Sequence, residues 1–159
     1  MFALAGKELG LKHYIELGAN VTESCWEMYR KQSTGLGPEA ASVPDLHPIE
    51  GHWIMRPEVV ESIFILYRVT GDVRYRQWGW HIAQSIWRHA RTESGLTGLP
   101  NVNPEDLSSV DHNDRQESYF MAETIKYLYL LFCDPAYISI DEYVFNTEAH
   151  PFPIIKGGL

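Results

Sequence analysis

Cysteine is scarce in this chain, cations are outnumbered by anions, and no long apolar run occurs. Two cysteines in 159 residues, Cys25 and Cys133, are too few for a disulfide framework and form no C-x-x-C metal motif. Thirteen Lys and Arg against 21 Asp and Glu give a net charge of -8. That leaves no basic patch of nucleic-acid type, so DNA and RNA are not expected partners. The apolar stretch from Leu128 to Cys133 is far short of the ~20 residues that span a bilayer, and no transmembrane segment is expected. Met1 to Glu8 lacks the basic start and long apolar stretch of a secretory leader; taken literally, the chain reads as cytoplasmic. Seven histidines never adopt H-E-x-x-H spacing, Gly35-Leu36-Gly37 lacks the strand context of a phosphate loop, and no Ser-His-Asp order stands out.

What is present is apolar and aromatic. The chain has the length of one ordinary domain, 45% hydrophobic residues and 13% aromatics, with five Trp and nine Tyr. Such a content suits a dense helical core or a carbohydrate site. Asn20-Val21-Thr22 is a glycosylation sequon, a triplet that chance often supplies.

Apolar spacing predicts four helices. Over 11–32, Tyr14, Leu17, Val21, Cys25 and Tyr29 recur on one face, with Lys12, Glu16, Glu23, Glu27 and Lys31 opposite. Gly35-Leu36-Gly37-Pro38 ends that helix, and a loop of roughly twenty residues follows, a length at which loops often line a site. A second helix starts at Arg56-Pro57-Glu58, since proline loses nothing in the first turn. Its residues Val59, Val60, Ile63, Phe64, Ile65, Leu66 and Tyr67 circle the axis, so it is expected to be buried on most sides. A third, over 73–91, carries the apolar stripe Tyr75, Trp78, Ile82, Ile86, Ala90 against the polar stripe Arg74, Gln77, His81, Gln84, Arg88. After a second irregular region, 93–114, a fourth helix over 116–132 is again apolar all round. The alternation of one-faced and all-round apolar helices predicts an all-α architecture of outer and inner layers, an αα-barrel. Four helices cannot close such a ring, and the sequence reads as part of a larger one, with apolar flanks left for neighbours.

Carboxylates open the two helices expected to be inner ones. Glu58 and Glu61 start the second; Glu117 and Glu123 belong to the fourth, with Asp111 and Asp114 just before it. First-turn acids are common because the helix dipole favours them, and that reading stands beside a functional one. The functional reading gains from the adjacent Arg56 and Arg115, which build polar pockets and keep a neighbouring carboxylate ionised, as a general base requires. Inverting glycoside hydrolysis uses two carboxyl groups set ~6.5–9.5 Å apart. Thr147, in the strand-like segment 143–151, is either a plain strand residue or a hard-oxygen ligand of a Ca²⁺ ion ringed by carboxylates.

Four blocks carry a resemblance. Arg56-Pro57-Glu58-Val59-Val60-Glu61-Ser62, Tyr67-Arg68-Val69-Thr70-Gly71-Asp72 with Trp78-Gly79-Trp80, Gln116-Glu117-Ser118-Tyr119-Phe120-Met121-Ala122-Glu123-Thr124, and Phe145-Asn146-Thr147-Glu148-Ala149-His150-Pro151 resemble, in order, blocks of the class I α-mannosidases, glycoside hydrolase family 47. The resemblance spans residues 1–159 and about the C-terminal third of the family's catalytic domain. It implies part of an (αα)7 barrel closed at one end by a C-terminal β-hairpin-like plug, and an enzyme that removes α-1,2-linked mannose from N-glycans with inversion and with Ca²⁺. It implies Glu58 as general base, Thr147 as the calcium ligand, and Arg56, Glu61, Glu117, Tyr119 and Glu123 as the mannose subsite and the surroundings of the metal. Its partner would be a high-mannose N-glycan or glycoprotein, and its setting the secretory pathway, the endoplasmic reticulum or Golgi, or outside the cell. The family's general acid, a third carboxylate and a cysteine that pairs with one like Cys25 belong to earlier blocks, so the 159 residues alone are expected to be inactive. The alternative is a non-catalytic relative that keeps the mannose subsite and binds glycans or glycoproteins.

Overall fold

A computed structural model describes residues 1–155. Helices α1 (Phe2–Leu9) and α2 (Lys12–Arg30) form a tight hairpin, joined through Gly10 in the left-handed conformation. Helices α3 (Glu58–Thr70) and α4 (Arg74–His89) form a second, with Gly71 (φ 71°) as the left-handed cap that turns the chain. A π-helical segment, Phe120–Ile125, runs directly into α5 (Lys126–Phe132). Two short antiparallel hairpins complete the structure: β1 (Ala40–Ala41) with β2 (Pro48–Glu50), and β3 (Tyr143–Phe145) with β4 (Pro151–Pro153). Helix α3 is central and packs against α1, α2, α4, α5 and the π segment. Its Val60, Ile63, Phe64, Ile65 and Leu66 are all buried, as an all-round apolar helix requires.

Helix α4 buries its expected stripe: Tyr75, Ile82, Ile86 and Ala90 are inside. Helix α2 does not. Its buried residues are Thr22, Trp26 and Tyr29, while Leu17 and Val21 are 43% and 50% exposed. The inward face is displaced by about one residue from the expected one. Trp26 is the cause: it stacks on Trp78 at 5.5 Å and meets the edge of His81, and the largest side chain on the helix sets its rotation.

The fourth expected helix also differs. Residues 116 and 117 precede the helix, and its first full turns are π-helical. The wider turn brings Phe120, Glu123 and Thr124 inward together, and the Thr124 hydroxyl donates to the Met55 carbonyl at 2.7 Å. Single π turns of this kind concentrate at functional sites. Helix α5 is not covered all round, since Met121, Tyr129 and Phe132 of the π–α5 unit are 56%, 62% and 43% exposed.

Two guanidinium groups close the α5 C-terminus, whose last carbonyls lack helical partners. Arg68 donates to the carbonyls of Leu130, Pro135 and Tyr137, and Arg76 to those of Leu131 and Cys133. The C-terminal hairpin then docks through Phe145, whose ring lies 5.7 Å from both Phe64 and Tyr127.

The two long irregular regions support one another. Trp53 and Leu99 exchange backbone hydrogen bonds at 2.8 and 2.9 Å, and Val102 donates to Gly51 at 2.7 Å. Leu36, Met55, Leu99 and Val102 are wholly buried, so these loops form core rather than skin. Gly35 is the pivot between α2 and this loop layer. Its φ is 72°, and a Cβ there would stand 2.4 Å from the Ser85 Oγ and 2.8 Å from His81 Nε2 on α4. Gly35→Ala is expected to cost about 2–3 kcal/mol in urea unfolding, combining left-handed strain with overpacking. A cost below about 0.5 kcal/mol would show that the loop does not press on α4.

Both cysteines are free thiols, with Cys25 half-buried and its pKa raised by desolvation. No described helix is long and apolar enough to cross a membrane.

Candidate active site

The chain direction at Arg56-Pro57-Glu58 is set by two straps from the π segment. Tyr119 donates its hydroxyl to the Ile54 carbonyl at 2.7 Å, one turn before Thr124 holds Met55. Pro57 then serves as N-cap of α3, and Glu58 and Glu61 fall in its first turn. The expected boundary at Arg56 is therefore met within two residues.

Around Glu58 the structure gathers two groups of side chains. On one side lie Arg56, Glu39, Tyr119 and Glu117, linked by ion pairs and by the charges they exert on one another. Arg56 Nε pairs with Glu39 Oε2 at 2.7 Å, and Arg115 Nε with Glu117 Oε1 at 2.6 Å. Arg115 thus holds the carboxylate beside it, as its position suggests. Arg56 pairs with Glu39 and not with a carboxylate of its own helix. Glu39, from Gly-Leu-Gly-Pro-Glu, is the site residue that sequence reasoning missed; its one signal was a long loop that opens on a carboxylate. The Glu39 hydrogen bond raises the Arg56 pKa above its usual value, with Tyr119 and Glu58 adding to the effect. Burial lifts the Tyr119 hydroxyl above the ordinary phenol range, and Glu117 pushes it the same way.

On the other side lie Glu61, Glu123 and Glu148, with Tyr127 and Lys126. Burial holds the Glu61 carboxyl above the usual carboxylate range; Glu58 raises it further and Tyr127 opposes. Glu123 is 6% exposed. Its pKa is raised by burial first and then by Glu148, Glu58 and Glu61, against which Lys126 acts alone. The Tyr127 hydroxyl is strongly raised by burial, then by Glu61 and Glu123. Four carboxylates thus act on one another; the Met1 ammonium opposes them at Glu61 and Lys126 at Glu123, and Lys126 also donates to the Ala149 carbonyl at 3.0 Å.

Thr147 and Glu148 form the tip of the β3–β4 hairpin. Asn146 shapes that tip: its Oδ1 accepts from the Glu148 and His150 N–H groups at 3.0 and 2.9 Å. Thr147 is exposed there, next to the Glu148 that Glu123 senses. Among the described residues no cluster of three or more His, Cys, Asp and Glu with metal-holding geometry occurs. The oxygen donors here instead come from a threonine, backbone carbonyls and separately placed carboxylates. Such hard donors are of the kind Ca²⁺ prefers, and the negative charge gathered around the buried Glu123 is what a divalent cation would offset.

Of the residues singled out from sequence, Arg56, Glu61, Tyr119 and Glu123 lie within electrostatic reach of Glu58, and Glu117 within that of Tyr119, while Thr147 is linked to them through its neighbour Glu148, which acts on Glu123. Glu58 and Arg56 stand at the start of α3, Glu61 one turn on, Glu117 and Tyr119 just before the π segment, Glu123 within it, and Thr147 on the hairpin tip. Chemically, this arrangement can present carboxylates to a polar, uncharged, hydroxyl-rich ligand.

Known proteins share these features. The profile of glycosyl hydrolase family 47 matches residues 1–154. The chain is 45% identical over 147 residues to mannosyl-oligosaccharide alpha-1,2-mannosidase IA of Drosophila melanogaster, covering 89% of this chain and 22% of that protein. It is 44% identical over 163 residues to the human endoplasmic reticulum mannosyl-oligosaccharide 1,2-alpha-mannosidase, covering 92% of this chain and 23% of that protein. The solved alpha-1,2-mannosidase from Trichoderma reesei superposes with a TM-score of 0.85 at 28% identity, over 97% of this chain and 37% of that one. The chain spans about a quarter of the length of these curated relatives.

Proposed function

As a member of glycosyl hydrolase family 47, this chain carries, we propose, the base-and-metal part of an inverting, calcium-dependent 1,2-α-mannosidase that trims α-1,2-linked mannose from N-glycans. The observation that carries the reading is the position of Glu58. Among the described residues it alone acts on both charge groups, the Arg56–Tyr119 side and the Glu61–Glu123 side.

Glu58 is the general base: exposed at the mouth of α3, it can take a proton from a water on one face of the sugar ring. Arg56, fixed by Glu39, and Tyr119, fixed by Ile54, orient the sugar hydroxyls, because neither can swing away from its own anchor. Ca²⁺ would be held by the Thr147 hydroxyl and carbonyl, with Glu61, Glu123 and Glu148 around it. When bound, it supplies a hard positive centre that orients oxygen ligands. Inversion needs a second carboxyl as acid on the opposite face. The resemblance assigns that acid to earlier blocks of the family, and under this reading the 159 residues by themselves bind mannose without cleaving it. The barrel architecture and the secretory-pathway setting of the relatives' family extend to this chain under the same proposal.

The test pairs calorimetric titration with product assay on the purified chain. Mannose is expected to bind in millimolar Ca²⁺ and not in chelator, with no mannose released from α-1,2-mannobiose. Glu58→Gln is expected to retain binding. Release of mannose by the chain would overturn the half-site reading, and calcium-independent or absent mannose binding would overturn the sugar subsite.

A further inference from the structure

Behind Glu58 lies a cavity of about 160 Å³ between α2, the loop layer and the start of α3, lined by Tyr29, Gly37, Glu39, Trp53, Arg56 and Glu58 among others. Trp53 is 2% exposed, and its indole N–H meets no acceptor. Among the described residues one other buried side-chain atom shares that condition, Arg68 Nε, but the Arg68 terminal nitrogens make three hydrogen bonds. Trp53 has a single donor, and that donor makes no well-formed hydrogen bond.

The ring cannot turn to find a partner. Its backbone is locked in the pairing with Leu99, and its face meets the edge-to-face contact with Phe120 at 6.4 Å and 87°. The Tyr29 hydroxyl stands beside the indole, close enough for the N–H to lower its pKa, but outside hydrogen-bond geometry; burial outweighs that and raises the phenol well above its usual range, and the fields of Glu58 and Glu39 add to it. A buried donor beside a cavity that two carboxylates and a guanidinium also line calls for a guest.

The surrounding groups define its chemistry. The guest must accept from Trp53 Nε1. A cation cannot do so. An anion would face the carboxylates of Glu39 and Glu58. A neutral hydroxyl can accept from the indole and donate to a carboxylate at once. The volume suffices for one, since a water occupies about 30 Å³ of liquid.

We propose that this cavity is a hydroxyl-binding site in which Trp53 Nε1 donates to a neutral hydroxyl that in turn donates to the Glu39 or Glu58 carboxylate. The hydroxyl comes from a trapped water or from a bound sugar. The second source rests on the mannose-binding reading above; the first does not. Trp53 is accordingly a positioning residue for the pocket behind Glu58.

The experiment uses the ¹⁵N-labelled chain as it is, whose five tryptophans give five resolvable indole N–H signals. The Trp53 signal is expected to show a cross-relaxation peak to a long-lived water, retained in Tyr29→Phe. On adding mannose with Ca²⁺, the Trp53 signal is expected to shift and its water peak to weaken, which identifies the sugar hydroxyl as guest. If mannose leaves both unchanged, water is the guest: the hydroxyl site stands while the sugar reading of the pocket fails. A Trp53 signal with no water peak, or with a direct contact to the Tyr29 hydroxyl in its place, would overturn the proposal. Because these readouts come from the native chain, they do not depend on whether Trp53→Phe folds.

Discussion

Replacing Phe64 with alanine is expected to cost about 3–5 kcal/mol of folding stability, enough to unfold a marginal domain. Phe64 is fully buried at the centre of α3. It contacts Tyr127 at 5.5 Å and Phe145 edge-on at 5.7 Å, and the Arg68 guanidinium lies 5.0 Å over its ring. The substitution opens a cavity among three elements at once: α3, α5 and the C-terminal hairpin. It also loosens Arg68, which caps α5. Urea unfolding should show a lower midpoint at unchanged slope. Val144→Ala, one residue before Phe145 and 52% exposed, should change stability by less than about 0.5 kcal/mol. Equal effects from the two changes would mean that the hairpin does not dock through Phe145.

Calcium should raise the melting temperature of the chain by about 5–10 °C at a concentration about one hundred times its dissociation constant. The free energy comes from mass action, about 2.7 kcal/mol at that ratio. The temperature conversion uses about 2–4 °C per kcal/mol for a chain of this size. The physical source is relief of the repulsion that Glu148, Glu58 and Glu61 impose on the buried Glu123. Thr147→Ala removes one ligand oxygen, and Glu123→Gln removes one of the repelled charges. Both should lose most of the calcium-induced shift, with Glu123→Gln also raising the calcium-free melting point. Mg²⁺ should stabilise much less, because it dehydrates reluctantly and demands a rigid octahedral shell. A melting curve indifferent to chelator would remove the metal from the mechanism.

These two results depend on different kinds of information. The burial of Phe64 was legible from the all-round apolar pattern of its helix, and the candidate role of Thr147 from the wording of its block. The partners were not. Phe145 and Phe64 belong to segments far apart in sequence, and no local rule pairs their rings. The same applies to the site. Glu58, Arg56, Glu61, Glu117, Tyr119 and Glu123 could be named from blocks of sequence, whereas the Arg56–Glu39 pair joins residues 17 apart across an irregular loop. The straps from Tyr119 to Ile54 and from Thr124 to Met55 span 65 and 69 residues.

By itself the sequence determined what short-range physics encodes. The periodicity of α3 and α4 follows from side-chain spacing on a helix, their separation follows from Gly71, and the acids at the start of α3 follow from the free N–H groups there. Only the tertiary structure decided the rotation of α2, the π turn and the isolation of the Trp53 indole. Trp26 turned α2 by seeking Trp78, the π turn brought Glu123 and Thr124 to one face, and the Leu99 pairing fixed Trp53 away from any acceptor. In each case the outcome depended on which distant side chain filled the remaining space, and close packing settles that only when the whole chain is assembled.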